Sequence, residues 1–232
     1  MPFSSPDQVT VEKTPSYFVT KSAPLRIFEV LPKVRLIIVV RDPVTRAISD
    51  YAQVRLKRPD MPSFERMCLR WYRSRPELNR SWEAIRIGMY AIHLKRWMRY
   101  FPLSRIHFVS GEELAKDPVR ELGKVQDFLG VGRYIKEKHF YFNQTKGFYC
   151  VKEWQGKPRC LRQVISNSKQ NFHRCLGMEW QTGLKRRRCL GQTKGRRHPA
   201  VSDQVIDRLR TYFRPYNQQF YNMTGMDFAW SH

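Results

Sequence analysis

The chain has 232 residues, 41% of them hydrophobic and 13% aromatic, and its 43 Lys+Arg against 20 Asp+Glu leave a formal net charge of +23. Six Trp, eleven Tyr and fourteen Phe exclude a disordered basic tail, because such a tail has too few core formers to offset chain entropy by burial. The longest aliphatic run, Leu36 to Val40, is far short of the roughly twenty residues of a membrane span, and the first twenty residues lack the basic and apolar regions of a signal peptide.

In chain order, the first clear element is Arg35 to Val40, a short β-branched run closed by Asp42-Pro43, which reads as a buried parallel strand. Asp42 is placed to cap a following helix with Pro43 in its first turn and Ala47, Ile48, Tyr51 and Ala52 on its apolar face. A second helix is expected from about Ser81 to Tyr100, with Ile85, Met89, Ile92 and Trp97 repeating at near-helical spacing. Ile106 to Val109 reads as another strand. Asp117-Pro118 opens a third helix with Val119, Leu122, Val125, Phe128 and Leu129 facing inward and Gly130 after its end. Near the C-terminus Pro199 to Arg214 reads as a helix, and Pro215 begins a further turn or helix through Tyr221. Strands separated by helices predict an α/β fold with a parallel sheet and helices on both faces, in which ligands sit at the carboxyl ends of the strands. Arg41 follows directly on such an end.

A charge excess this large attracts polyanions, whether nucleic acid, anionic membrane, phosphate-bearing small molecules or acidic polysaccharide. It is concentrated in residues 151–199, which hold thirteen Lys+Arg and two acidic residues. The segment from Lys152 to Arg188 has no sustained period and reads as a basic inserted loop; the alternative is a solvated loop without a specific ligand. No CxxC pair occurs among Cys68, Cys150, Cys160, Cys175 and Cys189, which argues against zinc and for a disulfide, and so for an oxidising compartment. Three sequons, at Asn79, Asn143 and Asn222, lean the same way.

No GxGxxG, GxxxxGK[ST] or HExxH motif is present, and no metal is expected. The anion-suited pieces are Arg41 at the strand end, Ser49 about two turns along the next helix, and Lys194, Gly195, Arg196, Arg197 and His198 ahead of the C-terminal helix. Arginine offers a planar fork to phosphate, Gly195 lets backbone approach closely, and Ser49 adds a hydroxyl donor. The plainer alternatives are a salt bridge for Arg41 and a solvated basic turn for residues 194–198.

Six motifs occur in order: Glu12 to Phe18 (EKTPSYF), Val40 to Tyr51 (VRDPVTRAISDY), Lys57 to Asp60 (KRPD), Phe108 to Glu112 (FVSGE), Lys138 to Asn143 (KHFYFN) and Thr193 to Arg196 (TKGR). Together they resemble the heparan sulfate glucosamine 3-O-sulfotransferases over most of the chain outside about 151–188. The resemblance implies a P-loop-NTPase-like sulfotransferase domain and sulfuryl transfer from 3'-phosphoadenylyl sulfate (PAPS) to the 3-hydroxyl of glucosamine in heparan sulfate. By the same resemblance Arg41 and Ser49 hold the donor's 3'-phosphate, Lys194 to His198 lie over the cofactor, and Tyr149 lines its adenine side. Acceptor contacts carry over to Lys13, Thr14, Pro15, Ser16, Gln53, Val54, Lys57, Ser81 and Trp82, with core packing the alternative for Trp82. The family disulfide maps to Cys150 with Cys189, and Cys160 is the competitor.

Against the family pattern, the membrane anchor, the strand and loop that wrap the 5'-phosphosulfate and the general-base glutamate have no match ahead of Glu12. The expectation is therefore a single, N-terminally truncated sulfotransferase domain over 1–232, inserted at 151–188, monomeric and by family in the Golgi lumen. It is expected to bind nucleotide weakly and heparan sulfate measurably, and to transfer sulfate slowly or not at all. The alternatives are a non-catalytic heparan sulfate binding remnant and a basic nucleic-acid-binding protein; no nucleic-acid motif favours the latter.

Overall fold

The computed structural model describes residues 9–145, 147–152, 187–188 and 198–230. The chain divides into two compact units, one of residues 1–14 and 137–189 and the other of residues 15–136 and 190–232.

The larger unit runs α1 (Ala23–Val30), β1 (Leu36–Val40), α2 (Pro43–Lys57), α3 (Phe64–Cys68), β2 (Leu69–Tyr72), β3 (Arg75–Leu78), α4 (Glu83–Ile87), α5 (Tyr90–Trp97), β4 (Ile106–Ser110), α6 (Gly111–Lys116), α7 (Pro118–Leu129) and α8 (Asp203–Thr224). β1 and β4 pair in parallel from Leu36↔Ile106 to Val40↔Ser110, so both strands end side by side. Ile38, Val40, Ile106 and Phe108 face a core shared with Tyr90, Leu94 and Trp97 of α5 and Phe220 of α8. On the other face His107 stacks on Phe128 of α7 at 5.1 Å between ring centroids. That face is covered at β4 only: Ile37 and Val39 of β1 are 37% and 61% exposed, although parallel strands usually bury both sides.

A second core lies under α2, where Val44, Ala47, Ile48 and Tyr51 meet Phe64, Ile85, Leu209 and Phe213. Trp82 packs into it edge-on, with ring centroids 5.3 Å from Phe64 and 6.4 Å from Tyr51. β2 and β3 form an antiparallel hairpin absent from the sequence reading.

Three sequence expectations are corrected here. The helix expected from Ser81 to Tyr100 is two helices broken at Gly88, where a Cβ would sit 2.8 Å from the Phe213 ring and 3.0 Å from Pro43. Gly88 lets α8 and α2 approach closely at that break. In α7 the apolar residues Val119, Leu122, Val125, Phe128 and Leu129 are only half-buried, whereas Glu121 and Gln126 are buried. Gln126 accepts the Ile135 N–H at 2.7 Å, and Glu121 pairs with Lys124, so these polar groups enter the interior satisfied. The C-terminal segment is one 22-residue helix through Pro215. An interior proline removes one ladder hydrogen bond, and burial of Phe213, Asn217 and Phe220 on the core side outweighs that loss.

In the smaller unit β5 (Phe140–Asn143) pairs antiparallel with β6 (Phe148–Lys152), and β6 with β7 (Arg187–Arg188). In register, Val151 is level with Arg188 and Lys152 with Arg187, with β6 the central strand. The rest of the inserted loop expected at 151–188 lies outside the described residues. Among the described residues no helix is long and apolar enough to cross a membrane.

Candidate functional site

The site is built where β1 ends and α2 begins. Asp42 caps α2, its carboxylate accepting the Thr45 N–H at 2.8 Å and the Thr45 hydroxyl at 2.6 Å, and Pro43 occupies the first turn. β4 delivers Glu112 to the same place, because the parallel register brings Val40 and Ser110 level and Ser110 then caps α6. Gly111 makes this possible: a Cβ there would lie 3.1 Å from the Val40 carbonyl oxygen. Asp42 donates its backbone N–H to Glu112 Oε1 at 2.8 Å, and Arg41 Nε lies 3.9 Å from the same oxygen.

Arg41 is thus fixed at its backbone and loose at its tip. Tyr90 donates its hydroxyl to the Arg41 carbonyl at 2.8 Å; burial pushes that phenol up to about 12, so it stays a donor. The Arg41 side chain is 42% exposed, and 3.9 Å from its Nε to Glu112 Oε1 is an ion pair longer than a hydrogen bond. Arg41 thus has a carboxylate neighbour while its side chain remains partly open to solvent.

From this corner α2 carries Thr45, Ser49, Gln53 and Lys57 at four-residue spacing, along a slowly winding stripe on the side away from Val44, Ala47 and Tyr51. Ser49 is half-buried; Gln53, Val54 and Lys57 are exposed. His198 is exposed as well, and its imidazole is held below its ordinary value first by partial desolvation and then by the charge of Arg41, which places it in that arginine's field. A cavity of about 660 Å³ opens beside the strand ends and is lined by Arg41, Asp42, Glu112, Arg120, Lys124 and Arg210 among others. Its lining charges are mixed, with acidic and basic side chains both present.

The remaining expected residues are dispersed. Pro15 and Ser16 open a turn in which the Ser16 carbonyl accepts from Val19 and Thr20, and Ser81 donates its hydroxyl to Asn79 at 2.7 Å. Trp82 is packed as described above. Lys13, Thr14 and Tyr149 belong to the smaller unit, where Thr14 bonds Glu12 and Tyr149 is 41% exposed with its ring 5.3 Å from Phe142. Cys150 is buried and disulfide-bonded; Cys160, Cys189 and residues 194–197 lie outside the described residues. Asn79 is half-buried and gives its side-chain amide to the Met67 carbonyl at 3.1 Å, while Asn222 is exposed on α8 and Asn143 ends β5. No group of three metal-ligating side chains occurs among the described residues. Sequence reasoning assigned no role to Glu112 or Tyr90, although the FVSGE string that contains Glu112 was the available signal.

The family model described as "Sulfotransferase domain" matches residues 4–216. The chain belongs to the sulfotransferase domain family. It is 50% identical over 232 residues to heparan sulfate glucosamine 3-O-sulfotransferases 3B1 and 3A1 of Mus musculus, covering 99% of this chain and 52% and 51% of theirs. Heparan sulfate glucosamine 3-O-sulfotransferase 6 of Mus musculus is 49% identical over 230 residues, which is 99% of this chain and 59% of that one. The chain therefore spans about half the length of the curated relatives it matches. A crystal structure of a sulfotransferase from Alicyclobacillus acidocaldarius superposes with a TM-score of 0.58 at 17% identity, over 94% of this chain and 65% of that one, a likeness in fold.

Proposed function

We propose that this sulfotransferase domain serves sulfuryl transfer from PAPS to the 3-hydroxyl of glucosamine in heparan sulfate. The observation that carries the reading is the partly exposed side chain of Arg41, its carbonyl held by Tyr90 and its Nε beside Glu112, just ahead of the helix that bears Ser49, Gln53 and Lys57. The relatives' names supply the substrate class.

In this reading Arg41 and Ser49 hold the donor's 3'-phosphate, the guanidinium through charge-assisted hydrogen bonds and the hydroxyl as a short donor. His198, with Lys194, Gly195, Arg196 and Arg197 before it, covers the nucleotide, and Tyr149 lines the adenine. Gln53 and Lys57 continue along α2 to the sugar, offering an amide to hydroxyls and a cation to sulfate or carboxylate. Val54, Ser81, Trp82 and the segment Lys13, Thr14, Pro15 and Ser16 complete the acceptor side. In the transfer, the sugar oxygen bonds to sulfur as the sulfur–oxygen bond to the phosphate breaks, and adenosine 3',5'-bisphosphate leaves with that electron pair. Lys194 offsets the charge that grows on the bridging oxygen. The hydroxyl proton is assigned to no residue of this chain.

The same proposal takes the domain to act as a monomer in the Golgi lumen, with Cys150 bridged to Cys189 or Cys160 and glycans at Asn79, Asn143 and Asn222. Calorimetric titration with adenosine 3',5'-bisphosphate, with adenosine 5'-monophosphate as control, tests the reading. Binding should need the 3'-phosphate and weaken by about 10–100-fold in Arg41→Ala, from the ~1.5–3 kcal/mol of hydrogen bonds to a charged group. That variant leaves the Tyr90 and Glu112 contacts intact, since both also engage backbone. Equal binding of the two nucleotides, or unchanged affinity in Arg41→Ala, would overturn it.

A further inference from the structure

A second cavity, of about 450 Å³, lies between the α1 end and the outer side of α5, and it shares no lining residue with the cavity at Arg41. Its walls include Lys21, Arg86, His93, Arg96, Arg99 and Tyr100, with four cations and no carboxylate among the described lining residues.

The arrangement around Arg96 is unusual. His93 is buried at 5% exposure, and its Nε2 lies 2.9 Å from the Arg86 carbonyl, so that nitrogen carries the proton and Nδ1 is left to accept from Arg96 Nη2. The neutral imidazole thereby aims one arm of the guanidinium. Arg96 Nε is buried without a hydrogen-bond partner. Partial desolvation and the charges of Arg86 and Arg99 all act against the ionised form of Arg96, yet a guanidinium in a protein cannot shed its proton. Among the described residues, three guanidinium groups and an ammonium surround one hollow with no carboxylate beside them. Arginine forks match tetrahedral oxyanions, and the hollow is wide enough for a sulfate together with part of a sugar ring.

We propose that this cavity is a second anion site that takes a sulfate group of a sulfated saccharide chain, apart from the donor site at Arg41. The choice of a saccharide over another oxyanion source rests on the function proposed above. A polysaccharide acceptor extends well beyond the unit being modified, so a remote sulfate contact adds affinity and fixes which sulfated stretch is presented.

The test uses the full chain and the double variant Lys21→Gln/Arg99→Gln, both positions being exposed. A heparin octasaccharide, inorganic sulfate at matched sulfate concentration, and adenosine 3',5'-bisphosphate are titrated separately, with the His93 Cε1–H resonance as a local probe. The expected result is an octasaccharide Kd raised by about tenfold in the double variant, with bisphosphate binding unchanged and the His93 resonance of the wild type moved by octasaccharide. An unchanged octasaccharide Kd with a stationary His93 resonance overturns the proposal, as does a His93 response to inorganic sulfate alone. Loss of bisphosphate binding by wild type, with the octasaccharide results as expected, would refute the donor site and leave this one standing.

Discussion

Asp42 gives its backbone N–H to the carboxylate of Glu112 at 2.8 Å, which ties the turn after β1 to the turn after β4. The same carboxylate is the nearest negative charge to Arg41, so one side chain both builds the anion corner and partly neutralises it.

Glu112→Gln separates these two effects. The amide oxygen still accepts from Asp42, but the charge competing for Arg41 is gone, so affinity for adenosine 3',5'-bisphosphate should rise about two- to fivefold, as expected for a partly exposed ion pair. Glu112→Ala should instead lower it, because the turn loses its tie. Titration calorimetry on both variants decides; a fall in affinity for Glu112→Gln would mean that the carboxylate orients Arg41 rather than restrains it.

Gly88→Ala should destabilise the larger unit although alanine is the better helix former. Its Cβ would meet the Phe213 ring at 2.8 Å and Pro43 at 3.0 Å, and overpacking of this kind costs about 1–3 kcal/mol. Each kcal/mol lowers Tm by about 2–4 °C for a chain of this size, which differential scanning calorimetry resolves. An unchanged Tm would show that Phe213 swings away at no cost.

Acid should destabilise the protein through the buried His93 and the half-buried His107. Burial holds both His93 and His107 below the ordinary value of 6.5, so just under that pH the unfolded chain binds more protons than the folded one. Their contribution to stability is complete above about 6.5 and is lost as pH falls toward the folded-state values. Urea midpoints measured from pH 7.5 to 5 should decline, with a shallower decline in His93→Gln; parallel curves would remove His93 from the account.

Cys68 should be inert in the folded state. It is fully buried, and desolvation, with Glu65 adding to it, pushes its thiol up to about 12, so almost no thiolate exists at pH 8. Alkylation by iodoacetamide followed by mass spectrometry should leave Cys68 unmodified natively and label it in urea. Native labelling would show that the core beneath α3 opens readily.

Much of the fold was legible from short-range signals. The Leu36–Val40 strand, the Asp42-Pro43 start of α2 and the α7 start at Asp117-Pro118 are each set by β-branched runs, caps and prolines acting within a few residues. The lack of room for a side chain at Gly88 was not legible, since it is set by Phe213, 125 residues further along the chain. Nor was the half-burial of α7, whose periodicity marks an apolar face without saying what meets it.

For the site, the sequence by itself determined that a basic chain places Arg41 after a strand and Ser49, Gln53 and Lys57 on the helix that follows, because strand, cap and helix are neighbours in sequence; that one face of the strand stays exposed was decided by the fold. Only the tertiary structure decided that Glu112 and Tyr90 hold that arginine, and that Lys21 lines one cavity with Arg86, Arg96 and Arg99. The first grouping arises because the β1–β4 pairing brings Glu112 and the packing of α5 brings Tyr90 to Arg41, which no local pattern encodes; His93, Arg96 and Arg99 follow one another at three-residue spacing, and only the fold adds Lys21 to them.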